Sequence, residues 1–229
     1  MAFTGFTKTA IEFLKNLAAN NNKEWFENNR NIYETHLLEP LKQLSADLGT
    51  VINSIDPVIE TAPKINITVS KIYRDTRFSN DKSPFRTDQW LTFKRPKKQW
   101  GNVPEFYFYF TPEEYQYGMG FYAATPENMG RIREHIECFP ERFKKIIEAY
   151  GNQDCFRLVG ENYRKPIANG LPEEFQPWYQ KKNIAVSCTK RIEQGFFAKD
   201  LDQVLADSCK LNAEFYHFIT ESINGEGAL

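Results

Sequence analysis

A chain of 229 residues with 29 Lys/Arg against 30 Asp/Glu and a pI near 6.4 lacks the basic balance of a typical nucleic-acid-binding domain. Its charged fraction of 26% is ordinary for a globular protein, so disorder is excluded outside the ends. At this length about 70–75% of the unfolded surface can be buried, which removes the need for a disulfide or metal staple.

Ile11, Phe13, Leu14 and Leu17 recur at helical spacing and define a first helix, ended by Asn20-Asn21-Asn22. Asn21 and Glu24 have the spacing of a capping box, which starts a second helix near Lys23. Trp25, Phe26, Tyr33, Leu37, Leu41, Leu44 and Leu48 carry its apolar face, and Pro40 kinks it or begins a third helix. Arg30 falls on that face and needs an acidic or anionic partner; Glu24 and Glu27 share its helix, and Asp75 is an attractive distant one.

From about residue 64 the period changes to two. Ile65, Ile67 and Val69 alternate with Asn66, Thr68 and Ser70, the pattern of a half-buried antiparallel strand. Tyr73 lies in step with them, which puts Asp75 and Arg77 on its side and Ile72 and Arg74 on the other. Trp90 to Arg95 reads as a second strand. EFYFYFTPEEYQYGMGFY reads as a hairpin turning at Thr111-Pro112-Glu113-Glu114, its first strand central and covered on both faces. Gly118-Met119-Gly120 within it permits close packing or a bulge rather than cradling a phosphate.

Thr125-Pro126 supplies an N-cap and a first-turn proline for a helix on Met129, Ile132 and Ile136. A further helix carries Phe143, Ile146, Ile147 and Tyr150 and stops at Gly151. Short strands are expected over Phe156 to Val159 and Ile184 to Cys188, a last helix from Asp200 to Ile223, and a frayed tail from Asn224. No repeat or linker appears. The expected fold is a single α+β domain over 1–229, with residues 1–60 mainly helical and 61–229 α+β. Its antiparallel sheet, with the aromatic-rich hairpin, packs against the N-terminal helical hairpin and further helices.

Cys138, Cys155, Cys188 and Cys209 are far apart without metal-ligand spacing, so all four are expected to be reduced, packed thiols, with no zinc. The start of the chain lacks the pattern of a secretory leader, and no run of about 18 apolar residues occurs, so the expectation is a cytoplasmic protein without a membrane span.

Charge is uneven along the chain: residues 64–102 hold ten Lys/Arg against three Asp/Glu. Within them KIYRDTRFSNDKSPF, residues 71–85, runs from an apolar stretch into turn chemistry at Ser79-Asn80-Asp81. Two readings follow. In one, Arg74, Arg77, Lys82 and Arg86, with Arg30 as a further candidate, gather around a phosphate or carboxylate. Asp75, Asp81 and Tyr73 then organise the site, and Asp75 is the candidate catalytic base. In the other, the same carboxylates pair with the same cations as a structural clasp, and the protein is a noncatalytic interaction module.

The stretch resembles the signature of a bacterial family catalogued as domain of unknown function 2461. The matching positions are Lys71, Arg74, Asp75, Arg77, Phe78, Asp81, Lys82 and Phe85. Lys71 and Phe85 stand where that family usually has Arg and Tyr. NNNKEWFENNRNIY, residues 20–33, is similar to the family's N-terminal block. The resemblance covers essentially the whole chain and implies no established activity.

Lys94, Arg95, Lys97 and Lys98 precede Trp100 and, with Arg86, form a weaker candidate contact for nucleic acid; a solvated hairpin tip is the expectation. His36, His135 and His217 are isolated in sequence and imply no ligand set. HExxH, GxSxG, GxxxxGK[ST] and a strand-borne GxGxxG are all missing. No cofactor or metal is expected, and a small anionic ligand is the expected partner.

Overall fold

The structure is a computed structural model that describes residues 2–225, with the backbone alone at 99 and 100. The elements are α1 (Lys8–Ala19), α2 (Lys23–Tyr33), α3 (Glu39–Ile55), β1 (Gln89–Phe93), α4 (Lys97–Trp100), β2 (Glu105–Phe110), β3 (Glu114–Phe121), α5 (Pro126–Cys138), α6 (Pro140–Gly151), β4 (Arg157–Val159), α7 (Gln176–Tyr179), β5 (Ile184–Arg191) and α8 (Leu201–Asn224). The strands make one antiparallel sheet in the order β1-β2-β3-β5-β4, and the fold is α+β. No helix of the described residues is long and apolar enough to cross a membrane. From residue 226 on, the tail expected to fray lies outside the described residues.

Two compact units divide the chain. The first comprises Met1–Phe93, Tyr107–Gln116 and Lys190–Asp207. Its helices close on Ile11, Phe13, Leu14, Leu17, Phe26 and Leu37, the residues whose spacing predicted them. Between α2 and α3 one wide turn, Glu34–Leu38, immediately precedes Pro40, whose missing N–H cannot donate back into a helix. Backbone angles stay helical through the junction, from Tyr33 to Glu39.

The strand expected over residues 64–70 does not form. Asn66 adopts φ +68°, and the Lys64 carbonyl accepts from the N–H groups of Ile67, Thr68 and Val69, which makes a tight turn. Asn tolerates this left-handed conformation better than a branched residue. Ile65 and Ile67 are therefore 38% and 37% exposed, and pairing is limited to isolated bridges, a local parallel one between Ile65 and Val69 and an antiparallel one between Val69 and Leu91. From Ser70 onward the even-numbered residues turn inward: Ser70 and Ile72 are buried, Arg74 and Thr76 are half-buried, and Tyr73, Asp75 and Arg77 are exposed. Residues 72–77 divide into the two expected faces, but the buried one is that of Ile72 and Arg74, not the Tyr73 face expected to run in step with Ile65, Ile67 and Val69.

The hairpin turns where expected, with Thr111 N–H donating to the Glu114 carbonyl at 2.9 Å. β2 is an interior strand, yet only one of its faces is fully covered: Phe106, Phe108 and Phe110 are buried, while Tyr107 and Tyr109 are half-buried. Phe108 and Phe110 join Phe6 and Phe196 in an aromatic cluster, with Phe6 stacked on Phe196 at 4.8 Å.

The second unit comprises Lys94–Phe106, Tyr117–Thr189 and Ser208–Leu229. Thr125 caps α5 in a full capping box with Asn128, and Pro126 lies in its first turn. Gly118 and Gly120 serve close packing: a Cβ on Gly118 would lie 2.0 Å from the Val186 carbonyl oxygen, and one on Gly120 would lie 2.6 Å from the Ala185 Cβ. The cysteine expectation needs correction here. Cys155 and Cys188 form a disulfide with Cα atoms 5.0 Å apart, because the pairing of Arg157 with Ser187 brings Cys155, two residues before β4, alongside Cys188 of β5. Cys138 and Cys209 remain thiols, the first exposed and the second buried.

Candidate functional site

The capping geometry at α2 is shifted by one residue from the expected one. Asn22 accepts from the Trp25 N–H as the N-cap, which releases Asn21 for a long-range task. The Asn21 amide donates to the Phe85 carbonyl at 2.9 Å and accepts from the Phe85 N–H at 3.0 Å. A side-chain amide thus pairs with this backbone as a neighbouring strand does. Phe85 is 1% exposed, stacks on Phe26 at 4.2 Å, and forms an isolated bridge with Tyr73. These contacts fix the path of residues 85–88.

Arg74, Asp75, Arg77, Asp81 and Lys82 are engaged within the loop itself. Arg77 makes a two-pronged bond to Asp75, Nε to Oδ1 at 3.0 Å and Nη2 to Oδ2 at 2.7 Å, and its backbone N–H reaches the same carboxylate. Arg74 pairs with Asp81 and approaches the Ser79 hydroxyl, while the Lys82 ammonium donates to the Thr76 carbonyl at 2.9 Å. Arg77 holds the Asp75 carboxyl well below the usual carboxylate range. Bonds from Ser83, then Arg74, do the same for Asp81. A carboxylate so stabilised is a poor proton acceptor at neutral pH. Arg30 is likewise occupied, by Glu27 at 2.6 Å and 2.8 Å rather than by Asp75, with the Tyr73 hydroxyl at 3.4 Å and the Phe26 ring beneath it.

Arg86 differs from the other candidates. Its backbone N–H bonds to the Ile72 carbonyl and its guanidinium lies over the Trp90 ring at 4.8 Å, but its Nε is buried without a hydrogen-bond partner. Among the described residues no ion pair or hydrogen bond engages this guanidinium. Leaving a buried charged donor unsatisfied costs about 1–3 kcal/mol or more, so a partner is called for.

That partner has room. Within the first unit a cavity of about 610 Å³ opens beside Arg86, in the range of small-molecule sites. Asn21 and Phe85 form part of its wall, with Ala18 from α1 beside them. Arg74, Asp81 and Ser83 contribute from the charged loop, and Thr111, Pro112 and Glu113 from the hairpin turn. Thr87, Asp88 and Tyr109 complete it. Burial, then the Asp88 charge and a hydrogen bond to it, pushes the Tyr109 hydroxyl up to about 12, so it stays protonated with its proton donated to Asp88.

The structure thus brings Arg74, Asp81 and Arg86 to one cavity, and leaves Asp75, Arg77 and Lys82 outside its lining. Asp88 and Tyr109 are not singled out by the sequence, and Asn21 only as a cap. Tyr109 carried a weak signal, a tyrosine on the opposite face from three phenylalanines, whereas Asn21 looked like a helix cap. In the basic run, Lys94 bonds to Glu105 at 2.8 Å and Lys97 and Lys98 are exposed. Among the described residues no group of three His, Cys, Asp or Glu side chains has metal-binding geometry.

The fold and the cleft define an α+β protein with a polar, small-molecule-sized cavity. Residues 9–218 match the family described as conserved hypothetical protein (DUF2461), and the chain belongs to that family. A comparison with curated proteins found no match.

Proposed function

We propose that the protein binds a small ligand bearing a carboxylate or phosphate group, with Arg86 as the anion-binding residue. The observation that supports this reading is that Arg86 lines a cavity of about 610 Å³ while its guanidinium has no ion pair or hydrogen bond among the described residues. Arginine offers an anion two parallel donors, and here they are not taken up by protein groups. Arg74, Arg77, Lys82 and Arg30 act in this reading as a clasp that shapes the loop, and Asp75 orients Arg77 rather than abstracting a proton. The proposal includes a cytoplasmic location, which the exposed Cys138 thiol favours and the Cys155–Cys188 disulfide weighs against.

The test is a thermal-shift screen with orthophosphate, acetate and larger carboxylates on the wild type, Arg86→Gln and Arg77→Ala. A ligand at a hundred times its dissociation constant stabilises by about 2.7 kcal/mol, and for a chain of this size each kcal/mol moves Tm by about 2–4 °C. The expected result is a shift in the wild type and in Arg77→Ala that is lost in Arg86→Gln. Loss in Arg77→Ala with retention in Arg86→Gln transfers the site to the charged loop; no shift with any anion removes the reading.

A second reading rests on Phe78, which is 94% exposed at the tip of the charged loop with the Arg77 guanidinium over its ring at 5.6 Å. A loop held rigid by ion pairs and presenting one aromatic is a plausible anchor for another protein. Co-purification of a partner that is lost on Phe78→Ser is its test, and an unchanged set of partners counts against it.

A further inference from the structure

The charge balance of the cleft narrows the ligand class. Arg74 and Asp81 pair and cancel, which leaves one guanidinium, Arg86, facing two carboxylates, Asp88 and Glu113. Arg86 and Asp88 are two residues apart and both act electrostatically on the Tyr109 hydroxyl, yet they form no ion pair with each other. Glu113 is exposed at the hairpin turn, where its backbone N–H donates to the Thr111 hydroxyl at 3.1 Å and its carbonyl accepts from Ile192 N–H at 2.9 Å. The cavity therefore offers one strong anion site and two acidic acceptors.

A polyanion is a poor match for this arrangement. Each charge beyond the one that Arg86 neutralises is repelled by Asp88 and Glu113, and in a partly buried cleft that repulsion is only weakly screened. A neutral ligand leaves Arg86 unpaired. A molecule carrying one negative and one positive group satisfies both sides.

We infer that the ligand is a small zwitterion of amino-acid type, its carboxylate bound by Arg86 and its ammonium by Asp88 and Glu113. The inference rests on the Arg86 cleft being the binding site. Tyr109 donates its proton to Asp88 and so keeps that carboxylate oriented towards the cleft. Ala18, Phe85 and Pro112 supply the apolar part of the wall, which suits an aliphatic or small side chain over a second charged one.

Calorimetric titration of the wild type separates this inference from the reading beneath it. The probes are the free L-amino acids, the N-acetyl and amide forms of whichever binds, acetate and orthophosphate. The expected result is a free amino acid that binds at least tenfold more tightly than its N-acetyl form, which lacks the positive charge, and its amide, which lacks the negative one. In Asp88→Asn the advantage over the N-acetyl form shrinks, and in Arg86→Gln binding of both is lost. If acetate, orthophosphate or the N-acetyl form binds as tightly as any amino acid, and Arg86→Gln abolishes it, the zwitterion inference is overturned and the anion site stands. If no probe binds the wild type, both fall.

Discussion

At the scale of single residues, Asn21 is the side chain whose role departs most from its local appearance. Between two helices an asparagine reads as a cap, yet here both ends of its amide are bound to the backbone of Phe85, 64 positions away. Asn21→Ala leaves a part-buried N–H and carbonyl without partners, at a cost of about 1–3 kcal/mol. Thermal unfolding of this variant is expected to drop by several degrees, and anion binding to weaken as well, since Arg86 directly follows the clamped residue. A variant with wild-type Tm and wild-type affinity would show that stacking of Phe85 on Phe26 suffices without the clamp. Sequence reasoning identified the charged residues of the loop but not which of them was free. Arg77 and Arg86 look alike in a string of letters, and only the bonding of Arg77 to Asp75 and the buried Nε of Arg86 separate them. Asp88 and Tyr109 were illegible for the same reason: their meaning lies in meeting across the cavity, not in spacing along the chain.

At the scale of elements, long periodic segments were legible and short alternating ones were not. α1, α2, α3, α5, α6 and α8 follow from apolar residues repeated over several turns, where one deviant position changes little. Residues 65–70 alternate over only six positions, and one left-handed residue, Asn66, converts the pattern into a turn that leaves the isoleucines exposed. The Cys155–Cys188 pair was hidden because pairing depends on the register of β4 against β5, which cysteine spacing cannot supply. The glycines of β3 did carry a readable signal, and it yields a prediction. Gly118→Ala places a Cβ against the Val186 backbone oxygen, an atom that cannot move without disturbing the pairing of β3 with β5. Overpacking of this kind costs about 1–3 kcal/mol or more. The variant is expected to unfold earlier in urea with an unchanged m value, whereas Gly130→Ala on α5, where a Cβ meets nothing within 4 Å, is expected to match or exceed the wild type. Equal midpoints for the two variants would remove the close-packing account of Gly118.

At the scale of the whole molecule, charge and pH link the parts. Ten cations in residues 64–102 looked like an open basic surface, but Lys94, Arg74, Arg77 and Lys82 are held by carboxylates or a carbonyl, so the usable charge is much smaller than the count. Stability in acid is governed elsewhere as well. His135 is 8% exposed between the rings of Phe139 and Phe218, with Glu221 3.8 Å from its Nε2 and Arg142 bonded to both Glu221 and Glu214. Burial lowers its pKa more than Glu221 raises it. The folded state therefore takes up a proton less readily than the unfolded chain, whose histidines titrate near about 6.5. The neutral-histidine contribution is complete above that value and is lost as pH falls below it. A second loss follows below about 4.3, the ordinary glutamate value, as Glu221, whose pKa Arg142 lowers, is protonated. Asp75 and Asp81, also lowered, add to the acid side. Melting temperature is expected to be level above about pH 7 and to fall in two stages on acidification, with His135→Gln flattening only the first. A first stage that persists in His135→Gln would assign it to another group, and a Tm that rises between about pH 6.5 and 5 would show that Glu221 rather than burial sets the protonation of His135.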